Sequence, residues 1–584
     1  MAAVSFHFHG YQPGDLVRWT EPDPLKPQRF EERRSPVSLR IGGEVIKGRN
    51  WTDAVLGAYG RMEATLEDAP GAASVDIEPQ TLAWLLAKDP DAYVHVLAAW
   101  EKGAAGLAIT PPFHPILPHL HGLEREALFE MMVDFYAPLL RRQHGRPIGL
   151  WLPECAYSAE AMRDYLAVAR RAPGRHENLP DLLTHTHVLL DRRQLTGTPD
   201  PGAWHRIGVD RGVPAAARDP GLSGDFAFGT SGPEDFAIAA KARGVDSIVV
   251  ASDLESLLAN PAQAERFREI VGRLRREELA VSAPAPAAAT RVVPVVDYSS
   301  WSDYEEHLHE GRTSDTRWTG LRRLDGQVVS REHRGQKVSQ LWKHGFALAM
   351  EQVETAVRRA VRDAFPASDA EHGREVVRRL AVAYGRHLWR DHYLASGLST
   401  GDVDFARAAE RILGGEVDVE VAAYLARAYV TMLMGLRSDP QFWDAPDTRV
   451  TFQGVACLAQ SLADAAEAWR RLGQPDRARQ LMRVLQATLL EFPEAHGRAG
   501  LAALHGVDGW ETTEEAWLRA LQSEVPDRSG YDVFRRAALF AIADAAEAFG
   551  LRVRAEEVVA DTGHIAGEAH GEWENVAWCE HRAD

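Results

Sequence analysis

The chain has 584 residues, 45% hydrophobic and 26% charged, close to the average for globular proteins. That excludes a disordered chain, a collagen and a disulfide scaffold. Its 66 Lys and Arg against 84 Asp and Glu give a net charge of −18, which offers phosphate backbones no bulk attraction, so no nucleic-acid partner is expected.

The three cysteines, Cys155, Cys457 and Cys579, lie far apart and form no CxxC pair. No run approaches the roughly 18 apolar residues of a membrane span. The start, MAAVSFHFHGYQP, has neither a basic stretch nor a long apolar one and reads as a strand. A cytoplasmic protein with no membrane partner is expected. Trp (16) outnumbers Tyr (13), an excess that calls for ligand platforms or large cores.

In chain order, seven short apolar runs read as buried strands: Val4–Phe8, Ser74–Ile77, Leu107–Thr110, Ile148–Leu152, Leu183–Leu190, Ser247–Ala251 and Val292–Val296. Helical periodicity lies between them, over Trp51–Leu66, Pro79–Leu86, Glu124–Arg141, Ala159–Arg170 and Glu234–Ala242. This alternation implies βαβ units and a parallel sheet. The count of seven, with polar residues after nearly every strand, favours a barrel with an incomplete eighth unit over an open doubly wound sheet.

From about Gln336 the period changes to three and four residues. Val338–Ala364, Glu375–Ala395, Asp418–Leu436, Phe452–Leu472 and Tyr531–Phe549 read as helices. The expected class is therefore α/β: a catalytic barrel over 1–330 followed by an all-α domain over 331–584. Ala459–Leu485 reads as an ordinary antiparallel helix pair, because no repeat period accompanies it.

The most informative segment is IGLWLPECAY, Ile148–Tyr157. Its apolar run stops at Pro153, which a central strand does not tolerate, and Glu154 follows at the strand's C-terminal lip. SIVVASDLE, Ser247–Glu255, repeats the arrangement with Asp253. In a parallel barrel all strand C-termini open on one rim, so both acids point to one mouth. Two carboxylates facing one pocket are the minimal apparatus for cleaving a glycosidic bond. The plainer alternative is that each acid caps a following helix. Glu255 is placed behind Asp253 as a supporting carboxylate.

Other polar groups fall on the same rim. His7 and His9 share one face of the first strand by alternation. Glu78 ends the second strand, His114 follows the third, and Asp297 ends the seventh. A His-x-His pair can bind metal, but hydrogen bonds to sugar hydroxyls or carboxylates are the better reading, and no metal or other cofactor is expected. His185 and His187 form a second such pair inside a strand and are left out of the site. Trp151, Trp301 and Trp318 lie in or after rim segments, where indole faces could stack on sugar rings.

At these positions the sequence resembles glycoside hydrolase family 57 over roughly residues 4–320. FHFHGYQP at Phe6–Pro13 is similar to that family's His-rich first motif, with Gly10-Tyr11 inserted before Gln12. WLPECAY at Trp151–Tyr157 is similar to its third motif, whose Glu is the nucleophile, here Glu154. ASDLES at Ala251–Ser256 is similar to its fourth, whose Asp is the general acid/base, here Asp253, although Leu257-Leu258 stands where the family has Phe-Gly. The resemblance implies a (β/α)7 barrel, a helical domain, and retaining cleavage or transfer on α-linked glucans without a metal. The stretches Tyr298–Trp318 and Met434–Pro446 resemble a subgroup with a long helical C-terminal domain. Two alternatives stand beside it: a non-catalytic α-glucan-binding protein, and a metal-dependent carbohydrate deacetylase using His7 and His9. The sequence leaves open whether the enzyme hydrolyses, branches or transfers, and its oligomeric state.

Overall fold

The computed structural model describes residues 2–11, 16–19, 21, 23–27, 30–32, 39–41, 44–46, 58–143, 145–196, 202–208, 212–259, 261–284, 292–301, 316–319, 330–333, 336–365, 369–414, 418–442 and 449–485. The chain separates into two compact units. One comprises residues 1–12, 52–314 and 391–398; the other comprises 13–51, 315–390 and 399–584. The division expected near residue 330 is thus an exchange of several segments rather than one cut.

The first unit is built on seven strands: β1 (Ala3–Gly10), β2 (Ala73–Ile77), β3 (Ala105–Ile109), β4 (Ile148–Trp151), β5 (Thr186–Asp191), β6 (Val213–Arg218) and β7 (Ser247–Asp253). They pair in parallel in the order β7-β1-β2-β3-β4-β5-β6, and β6 returns to β7 at Arg218 and Val249, which closes the barrel. Every residue of β2, β4 and β5 is buried, as strands covered on both faces require. Alternation sorts β1. Phe6 and Phe8 pack outward against Phe226 of α6 (Pro220–Phe228) and Phe267 of α8 (Pro261–Arg276). His7 and His9 face the lumen, stacked on Trp151.

The expected strands differ from this in three places. Val292–Val293 is a two-residue strand beside Trp204–Ile207, outside the closed ring. The stave that sequence reading missed is β6, VPAAAR, whose proline and alanines carry little strand signal. Leu182–His185 forms a helical turn before β5, so His185 lies outside the strand and only His187 lies in it.

Helices cover the barrel: α1 (Met62–Glu67), α2 (Pro79–Lys88), α3 (Pro90–Glu101), α4 (Gly122–Leu140), α5 (Ala159–Arg175), α6, α7 (Pro233–Ala242) and α8. Their starts are written in the sequence. Glu78, Asp89 and Ser158 each accept a backbone N–H of the first turn, and Pro79 and Pro90 occupy the first helical position.

The second unit contains α9 (Leu341–Ala364), α10 (Ala370–Leu388), α11 (Val419–Gly435), α12 (Arg449–Arg471) and α13 (Pro475–Leu485). From Val421 to Gly435, α11 is buried on all sides, which marks it as the unit's central helix. Arg427 and Asp464 form a two-pronged ion pair there at 2.8 and 2.7 Å, joining α11 to α12. The helix expected at Tyr531–Phe549 lies outside the described residues.

Candidate active site

Glu154 sits on a tight turn, Pro153–Cys155, that follows β4. Glu154 and Cys155 both take left-handed backbone angles, with φ of 58° and 48°. For residues with a Cβ this costs on the order of 1–3 kcal/mol each, so the surroundings must enforce it. They do so through three contacts. Gln194 donates to the Cys155 carbonyl at 2.9 Å, Trp301 N–H donates to the Glu154 carbonyl at 3.0 Å, and Tyr157 bridges Ser299. The turn aims the Glu154 carboxylate into the mouth of the barrel, where its Oε2 accepts the Trp301 indole N–H at 2.7 Å.

Asp253 ends β7, and its register neighbour on β1 is His9. Its side chain is open to solvent although protein surrounds it densely, as for a group on the floor of a cleft. That enclosure is the largest influence on its carboxyl. It holds the pKa above the ordinary value, against the opposing charges of His9 and Arg218.

On its other side His9 faces Asp76 of β2 in register. Asp76 is fully buried and gathers both histidines. His9 Nδ1 lies 2.8 Å from Asp76 Oδ2. His7 Nε2 lies 3.0 Å from Oδ1, off the line of a good hydrogen bond, while its Nδ1 lies 2.9 Å from Ser74 Oγ. Burial pulls the His9 imidazolium down, but the charge and hydrogen bond of Asp76, with Asp253 and Glu255, outweigh it and bring its pKa up to about 9. His7, equally enclosed, is held below the usual range by burial. His114 completes the group. It follows β3 on a left-handed backbone, with its Nε2 2.9 Å from His9 Nε2 and its Nδ1 4.0 Å from Glu154 Oε1.

A second cluster supports Trp301. Asp191, at the end of β5, is buried and binds Arg193 at 2.9 Å and Arg218 at 2.5 Å. Arg218 places its guanidinium 4.7 Å from the centre of the Trp301 ring, and Arg193 donates to the Trp301 carbonyl at 2.7 Å.

The structure thus brings together Glu154, Asp253, His9, His114 and Trp301, and redistributes the rest. His7 is 0% exposed and turns to Ser74 and Asp76, so it reaches no sugar hydroxyl. Trp151 is 1% exposed and packs on His7 and His9, which makes it a lining of the barrel rather than a platform. Trp318 is buried inside the second unit beside Phe442. Trp301 offers its N–H to Glu154 while one face is occupied by Arg218, so its main service is to the carboxylate. Glu255 accepts the Tyr11 N–H at 2.9 Å and the Tyr59 hydroxyl, behind Asp253. Asp297 and Glu78 follow the helix-cap alternative. Asp297 accepts the Ala159 N–H at the start of α5, and Glu78 accepts the N–H groups of Thr81 and Phe113.

Sequence reading missed Asp76, Asp191 and Arg218. Asp76 carried a signal, because in SVDIE it alternates with Ser74 to face the lumen as His7 and His9 do. Arg218 carried none, since its strand was not recognised. Among the described residues, no group of three or more His, Cys, Asp or Glu is placed to hold a metal ion.

Residues 1–284 match the family model described as the N-terminal domain of maltose-forming α-amylase-like proteins, and residues 317–563 match its C-terminal domain. A solved structure of an exo-type maltose-forming amylase from Pyrococcus sp. ST04 is similar over 92% of this chain and 92% of that one, with 33% sequence identity and a TM-score of 0.78. Two more distant likenesses are a 4-α-glucanotransferase from Thermococcus litoralis and a family 57 branching enzyme from Thermococcus kodakaraensis. The first has 12% identity over 80% of this chain and 60% of that one, with a TM-score of 0.42. The second has 10% identity over 91% and 95%, with a TM-score of 0.39. No curated protein matches the chain at a significant level.

Proposed function

The chain belongs to glycoside hydrolase family 57, among its maltose-forming α-amylase-like members, and from that we propose that Glu154 and Asp253 carry out retaining cleavage of α-linked glucans with release of maltose from chain ends. That the chain is an α-glucan-acting glycoside hydrolase or glucanotransferase follows from the family itself. The assignment of the two acids rests on one observation: β4 and β7 deliver two carboxylates in unlike surroundings to one barrel mouth.

Glu154 is the nucleophile. Held by the Trp301 N–H, its carboxylate attacks the anomeric carbon and forms the glycosyl-enzyme bond while the glycosidic oxygen departs. Asp253 gives that oxygen its proton and afterwards takes one from the incoming water or sugar hydroxyl. Its raised pKa keeps the proton in place to higher pH than an ordinary aspartate would, and the acid step fails as pH rises through that value. The exo-type, maltose-forming character is carried over from the Pyrococcus enzyme.

The test is product analysis on amylose and maltotriose with the wild type, Glu154→Gln and Asp253→Ala. Maltose accumulates with the wild type, whereas longer chains or new branch points would assign transfer or branching instead. Glu154→Gln lowers kcat at least about a thousandfold. Asp253→Ala loses about 10²- to 10⁴-fold, and azide restores turnover as the retained glycosyl azide. Full activity in either variant would remove the assignment.

A further inference from the structure

At the rim a line of three buried groups that the two-acid mechanism does not use, Asp76, His9 and His114, leads to the near oxygen of Glu154. Asp76 is 0% exposed, His9 4% and His114 3%. The links are Asp76 Oδ2 to His9 Nδ1 at 2.8 Å, His9 Nε2 to His114 Nε2 at 2.9 Å, and His114 Nδ1 to Glu154 Oε1 at 4.0 Å. The middle link is informative. Two ring nitrogens at hydrogen-bond distance share a single hydrogen, so one must be N–H and the other a lone pair.

We propose that Asp76 is a positioning residue for the reaction, which by keeping His9 doubly protonated obliges His114 to accept at Nε2 and to turn its own Nδ1–H toward Glu154. This rests on Glu154 being the nucleophile. With both nitrogens of His9 protonated, its Nε2–H points at His114, whose Nε2 must be a lone pair; the neutral ring then carries its hydrogen on Nδ1. Were His9 neutral, its hydrogen would stay on Nδ1 beside Asp76, and His114 would have to supply the shared hydrogen from Nε2. Its Nδ1 lone pair would then face the Glu154 carboxylate. One proton on His9 thus decides whether Glu154 meets a donor or a lone pair two rings away. The last link is longer than a hydrogen bond, and such contacts tighten when substrate closes the site.

The surroundings of His9 favour the charged form. Asp76 lies beside it in register on β2 and Glu255 adds a second negative charge, while Asp253, in register on β7, adds one only once it has given up its proton. The Trp151 ring lies parallel to it at 5.0 Å, where an aromatic face stabilises a cation. His7, on the same strand, is held neutral by burial and adds no competing charge. Tyr11 stacks over both His9 and His114, and Tyr59 is engaged by Glu255. Arg218 is directed to Asp191 and the Trp301 ring.

The experiment is nitrogen-15 spectroscopy of the full chain labelled at histidine, with His9→Gln and His114→Gln used to assign the two rings. The wild type shows His9 protonated on both nitrogens up to about pH 9, and His114 neutral with its hydrogen on Nδ1. Asp76→Asn moves the hydrogen of His114 to Nε2 at pH 8. It also moves the alkaline limb of kcat/KM on p-nitrophenyl α-maltoside, whose leaving group needs no acid, down by about two pH units. Asp76→Glu restores most of the limb. His114 with its hydrogen on Nε2 in the wild type, or an unmoved limb in a folded Asp76→Asn, would overturn the proposal. If Asp76→Asn does not fold, the wild-type spectra decide alone. They report hydrogen positions whether or not Glu154 attacks the sugar, which covalent labelling by a fluorinated glycosyl fluoride tests separately.

Discussion

Three buried histidines of the barrel unit set opposing responses to pH. Burial brings His187 down to about 3. Burial brings His392 down to about 4, against the Phe135 carbonyl that its ring contacts at 3.1 Å. As pH falls below 6.5 the unfolded chain takes up protons at these two rings and the native state does not, so stability drains away from 6.5 toward about 3 and 4. His9 has the opposite sign. Its raised pKa contributes stability that is complete below 6.5 and lost as pH climbs through about 9. Thermal melts across pH should therefore peak near pH 6.5 and fall on both sides, and a melting temperature that rises steadily to pH 9 would contradict this. At this scale the two acids proposed as catalytic stood out because each follows an apolar run. Asp76 was passed over although its strand was recognised, because what marks it out is the pair of histidines that a neighbouring strand brings to it.

The elements were legible where packing and periodicity agree. Six of the expected strand positions became staves, and the barrel-unit helices expected from Pro79 onward fell close to their expected spans, whereas the first, Trp51–Leu66, lies partly outside the described residues and shows Met62–Glu67 as helix. The exception, β6, shows the limit. Val213–Arg218 is stabilised by its neighbours on both edges, not by its own composition, and only the closed ring reveals it. The staves also approach one another closely at a glycine. A Cβ on Gly149 of β4 would lie 2.7 Å from the Ala108 Cβ of β3, nearer than two carbons allow. Gly149→Ala should destabilise the protein by about 1–3 kcal/mol, read from urea titration, because the crowded atoms belong to short side chains fixed to the sheet. An unchanged midpoint would mean that the sheet yields more easily than its register suggests.

For the whole molecule, the net charge of −18 is the property that bears on the substrate. An α-glucan is neutral, so long-range fields neither steer nor repel it. The value of kcat/KM on maltotriose should stay within about twofold from low salt to about 0.5 M, and a steep decline would point to a charged ligand instead. Among the described residues, tryptophan serves mostly packing. Trp100, Trp151, Trp318 and Trp389 are among the largest fully buried side chains, and Trp301 is half-buried at the rim.

The place where the barrel is sealed also sets when activity can appear. His9 and Asp253 are register partners across the β1–β7 seam, one supplied by the first strand of the chain and the other by the last stave. A growing chain emerging from the ribosome carries His9 from the outset, but it must wait for some 240 further residues before its partner exists. Until then β1 has one edge open and Asp253, the proposed general acid, is absent. On the proposed assignment, chains arrested before residue 253 should be inert however well their first six staves have formed, so the onset of turnover during synthesis would time the closing of the ring.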